Sequence, residues 1–114
     1  MASTRPPARH EVPEIDAAAF EAARAADRLL AAARERDSER WTRHFAALPD
    51  RLRDDPLNEL RAAARLGRAA FGPKDSVREA LPGDVTEPFL EAVDRLLKAI
   101  ARHEAHGGAV SRAR

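Results

Sequence analysis

Apolar side chains recur along this chain at spacings of three and four residues and nowhere alternate with a period of two, so the pattern predicts α-helix and no strand. A first helix is expected over residues 17–36. Asp16 is placed to cap it, with Ile15 and Phe20 as a hydrophobic staple, and its apolar face is mostly alanine with Phe20, Leu29 and Leu30. Residues 34–40 are entirely polar, after which Trp41, Phe45, Leu48 and Leu52 form a second apolar stripe. Asp37 or Ser38 suits a new cap, yet no glycine or proline forces a break. A single kinked helix continuous to Leu48 would be about 48 Å long, enough to overhang a small bundle and favour a dimer. Pro49 then begins a short helical turn or an irregular segment running to Asp54.

Asp55-Pro56 opens a third helix reaching Phe71, where Gly72 and Pro73 stop it. Leu57, Leu60, Ala64, Gly67 and Phe71 line one face; Gly67 costs about 1 kcal/mol relative to alanine, a cost that close helix packing would offset. Ser76-Val77-Arg78-Glu79 has the form of a capping box, opening a brief helix that Pro82-Gly83 closes. The last helix, over residues 87–106, carries Phe89, Val93, Leu96, Leu97 and Ile100 on one stripe, with Glu91/Arg95 and Asp94/Lys98 spaced for ion pairs on the other. The expected fold class is all-α, a small helical bundle of about four main helices plus one short connector helix. Its expected division is a disordered Pro-rich tail over 1–13, one bundle domain over 14–106 and a flexible tail over 107–114 that begins at Gly107-Gly108.

Composition sharpens this picture in three ways. Alanine supplies 26 residues, leaving a thin set of larger apolar side chains and favouring burial of further surface against a partner or a second copy. There is no cysteine, which removes disulfides, thiolate metal sites and a cysteine nucleophile. Eighteen arginines and two lysines against 19 acidic residues leave a net charge of only +1, so any attraction to nucleic acid or an acidic membrane must be local. The amino-terminal stretch lacks the apolar run of a secretory signal, and no stretch has the roughly 20 apolar residues of a membrane span. The expectation is a cytoplasmic protein with no membrane association.

Arg61, Arg65 and Arg68, spaced by four and three, put three guanidinium groups along the third helix, where they can grip phosphates or an acidic partner, or pair with acids of the same bundle. Trp41 among Arg40, Arg43 and His44 resembles a base-stacking platform, but its spacing with Phe45 and Leu48 speaks for core or subunit interface. His103 and His106 have a metal-compatible spacing without further ligands and complement the end of a helix. Ser38 and Ser76 read as caps. No convergent catalytic set, phosphate-cradling glycine loop or helix-turn-helix is evident, and neither a cofactor nor a metal is implied. The expected function is a protein–protein interaction module without catalysis, self-associating, with Trp41, Phe45, Leu48 and Leu52 as its interface. The alternative is a nucleic-acid-binding accessory or regulatory protein using the three arginines.

Overall fold

The structure is a computed structural model that describes residues 7–112, and side chains over 7–106. Residues 1–6 and 113–114 of the expected tails lie outside the described residues. The described chain is an all-α bundle: α1 (Pro13–Glu35), α2 (Glu39–Phe45), α3 (Leu48–Asp54), α4 (Leu60–Arg68), α5 (Val77–Ala80) and α6 (Gly83–Arg112). Short 3-10 turns precede α1 (Arg9–Glu11) and flank α4 (Leu57–Glu59 and Ala69–Phe71). No helix among the described residues is long and apolar enough to cross a membrane.

Boundaries of three helices differ from the sequence pattern. The third, expected from Asp55-Pro56 to Phe71, is α-helical only over Leu60–Arg68 with a 3-10 turn at each end, and Asp55 pairs with Arg51 at 3.0 Å instead of capping it. α1 starts at Pro13, with Val12 as its flanking residue, because proline at the first helical position loses no hydrogen bond. Asp16 is therefore inside the helix and free to take another partner. α6 starts at Gly83 and continues through Gly107 and Gly108; glycine weakens a helix by about 1 kcal/mol per residue but does not forbid its dihedral angles.

The polar stretch 34–40 resolves into a break. Asp37 adopts φ 53°, a left-handed conformation that aspartate tolerates better than most residues. The Asp37 N–H donates to the Arg34 carbonyl at 3.1 Å and the Ser38 N–H to the Ala33 carbonyl at 2.9 Å, the paired bonds that close a helix in a Schellman motif. Ser38 then caps α2, its Oγ accepting from the Trp41 N–H at 3.4 Å. One residue thus ends α1 without glycine and the next starts α2, so no helix runs on to Leu48.

α1 and α6 form the long antiparallel pair of the bundle, tied by ion pairs Glu14–Arg102 and Glu21–Arg95 that step seven residues along each helix. Ile15, Ala19, Ala22, Ala26, Leu29 and Ala33 give α1 a buried seam, and Phe89, Val93, Leu96 and Ile100 give α6 its counterpart. Alternating steps of four and three are the spacing of a coiled-coil seam. α3 packs on α1, α4 on α6 and α3 on α4, which closes the core. At its centre the Phe89 ring meets Phe45 edge-on at 5.5 Å and stacks on Phe71 at 6.2 Å.

The segment before α1 is held by Val12, partly buried against the core, and by the polar contacts of Arg9. Arg9 donates from Nε to Asp16 Oδ1 at 2.8 Å, and from Nη1 to the Arg53 carbonyl at 2.7 Å and the Asp55 carbonyl at 3.1 Å. Its guanidinium also lies over the Phe20 ring, 5.2 Å from the centroid. Phe20, expected on the apolar face of the first helix, is 41% exposed.

Candidate interaction surface

Trp41, Phe45, Leu48 and Leu52, the expected partner interface, are buried in the chain's own core at 5%, 0%, 1% and 0% exposure. α2 and α3 lay this stripe against α1, whose alanines let the larger side chains approach closely. Helical spacing identifies a face that is covered but not what covers it. Here the cover is intramolecular, and these four side chains present no surface to a partner. Above the ring of Trp41 sits Arg40, 4.5 Å from its centroid.

α4 places the three arginines in two different settings. Its inward face is Leu60, Ala63, Ala64 and Gly67, all buried, so Arg61 and Arg68 flank that face on the side of α6. Arg61 grips Glu104 through both guanidinium arms, Nη1 to Oε2 at 2.8 Å and Nη2 to Oε1. These hydrogen bonds hold the Glu104 carboxyl below the ordinary carboxylate range and push the Arg61 guanidinium above its own, in each case against the opposing effect of desolvation. Arg68 pairs with Asp94 at 3.3 Å. Arg65, one turn from each, is exposed and forms no ion pair among the described residues.

Leu66 stands beside Arg65 at 38% exposure; it and Phe20 are the large apolar side chains exposed among the described residues. Ala62 and Ala69 are exposed on the same helix and its following turn. The backbone here is anchored from α2: His44 Nε2 lies 2.9 Å from the Leu66 carbonyl oxygen, and the His44 ring packs edge-on against Phe45 at 4.8 Å and Trp41 at 5.6 Å. A carbonyl partner requires that nitrogen to carry the proton and donate. The outer face of α4 is thus a small apolar step beside a guanidinium that forms no ion pair among the described residues, on a braced backbone.

Other candidates stay dispersed. His103 and His106 are exposed, and no group of three or more His, Cys, Asp or Glu among the described residues is placed to hold a metal ion. Ser38 and Ser76 both cap helices, Ser76 Oγ accepting from the Arg78 N–H at 3.1 Å. The residue that the sequence reading missed is Arg9. It sits in a Pro-rich stretch, and its carbonyl partners lie 44 and 46 residues away, beyond any local signal. In comparisons with protein-family models, curated proteins and solved structures, the chain matches none.

Proposed function

We propose that this protein is a small helical interaction module that binds protein, a second copy of itself included, through Arg65 and Leu66 on the outer face of α4. The observation that carries this reading is the juxtaposition of an exposed leucine with the unpaired arginine of the triplet. An apolar anchor beside a guanidinium is the chemistry of a protein interface, where the leucine loses water and the arginine finds an acidic or carbonyl partner. The patch is small, which suits a transient rather than a permanent complex. The nucleic-acid reading draws less support, because Arg61 and Arg68 already spend their charge on Glu104 and Asp94.

Low-salt size-exclusion chromatography with light scattering, recorded at 260 and 280 nm, tests the self-association form. The wild-type mass should rise with concentration, and Leu66→Ser combined with Arg65→Glu should return it to the monomer while the variant still unfolds in one cooperative transition. A mass unchanged by the double substitution removes the α4 face. Co-eluting 260 nm absorbance that salt strips away would put nucleic-acid binding first.

A further inference from the structure

We propose that Asp16, the Phe20 ring and the backbone carbonyls of Arg53 and Asp55 form a guanidinium socket, filled in cis by Arg9, that accepts the same amino-terminal segment from a second copy of the chain. The socket meets each part of the guanidinium with a different group. The Asp16 carboxylate takes Nε, the carbonyls at the end of α3 take Nη1, and the Phe20 ring lies against the cation. The last carbonyls of a helix have no intrahelical donor, so these acceptors are free to bind a side chain. A planar fork of donors satisfies this arrangement and a single ammonium does not. The Arg9 side chain is only 11% exposed.

Two features make the occupant exchangeable. Apart from the bonds of Arg9, the hydrogen bonds of this segment stay within itself or its junction with α1: Ala8 N–H to Glu11 Oε1, Glu11 N–H to the Ala8 carbonyl, and Val12 N–H to the Arg9 carbonyl. One side chain therefore carries the polar attachment of the segment to the bundle, leaving only the apolar contact of Val12 with the core when it is lost. In addition, Arg9 Nη2 is buried with no hydrogen-bond partner, and an unmet buried donor weakens the hold of the latch. The occupant in trans is the amino-terminal segment of a second copy because that is the peptide whose fit the fold displays. The socket shares no residue with the α4 face and can fail without it.

The test uses the full chain carrying Arg9→Ala, which keeps the socket and removes the latch, titrated with a fluorophore-labelled synthetic peptide of residues 1–12. The variant should melt below wild type, the peptide should raise its melting temperature to a plateau at one peptide per chain, and binding should be at least tenfold tighter than to wild type. A peptide with Arg9→Lys should bind at least tenfold more weakly than the arginine peptide. Equal binding to variant and wild type, or equal binding of the two peptides, would overturn the socket. Should Arg9→Ala fail to fold, the full chain with Arg9→Lys keeps the cation and is read by the same two comparisons.

Discussion

Gly67 of α4 lies directly on the ring of Phe89 in α6: a Cβ placed on Gly67 would stand 2.7 Å from Phe89 Cζ and 3.1 Å from Leu48 Cδ2. The ring has nowhere to retreat, since it is fully buried between Phe45 and Phe71. Gly67→Ala gains about 1 kcal/mol of helix propensity and meets an overpacking cost of about 1–3 kcal/mol or more. The expected outcome is net destabilisation, read as a lower urea midpoint with an unchanged slope. A midpoint at or above that of wild type would mean that α4 moves away from α6 at little cost.

Trp41, the only tryptophan, reports on its own burial. At 5% exposure inside one chain, its emission should be blue-shifted, poorly quenched by iodide and independent of protein concentration. Emission that shifts to the red on dilution would mean that a second copy supplies the cover. Trp41→Ala should cost about 3 kcal/mol in chemical denaturation, as expected for truncating a buried aromatic.

The Arg61–Glu104 pair makes stability depend on pH in a defined direction. Because the hydrogen bonds from Arg61 lower the folded-state pKa of Glu104 below its unfolded value, the stabilisation is complete above the ordinary carboxylate range and is lost as pH falls through the depressed value. Glu104→Gln should lower the melting temperature at pH 7, and its difference from wild type should close as pH falls below the ordinary carboxylate range. Glu87, lowered in the same sense by Arg78, titrates in both proteins and cancels in the comparison. Both groups face water, so 0.5 M salt, roughly, should shrink the difference as well.

Features written into consecutive residues were legible in advance. The Ser76 cap and the stripe of α6 follow from local chemistry, a cap at Asp37 or Ser38 is one of two readings of the polar stretch, and the need for close packing at Gly67 follows from the cost of glycine in a helix. Asp55-Pro56 misled: a 3-10 turn follows it, the α-helix begins only at Leu60, and Asp55 pairs with Arg51. Partner choice was not legible. Arg95 and Asp94 are spaced for pairs along α6, yet Arg95 reaches Glu21 on α1 and Asp94 reaches Arg68 on α4. Asp16 has the type and position of a cap but serves Arg9, because proline had already started the helix. The Trp41 stripe was visible as a covered face; assigning its cover to α1 required knowing how the alanines of α1 are placed. Within the α4 triplet, the free arginine becomes distinguishable from the engaged ones only once α6 lies alongside.

The α1–α6 seam has one further consequence. Its two ion pairs lie seven residues apart on each helix, and Ala19, Ala26 and Ala33 repeat at the same interval, so a slide of one helix past the other by two turns would set Glu14 opposite Arg95, again acid against base, while Glu21 would lose its partner. Such a seam resembles a rack whose alanine teeth choose an alignment only weakly. The choice falls to features that occur once: the Phe89 ring seated on Gly67 and the ties from Arg61 and Arg68 to α6. The short helix α4 is the pin that fixes how far the two long helices overlap.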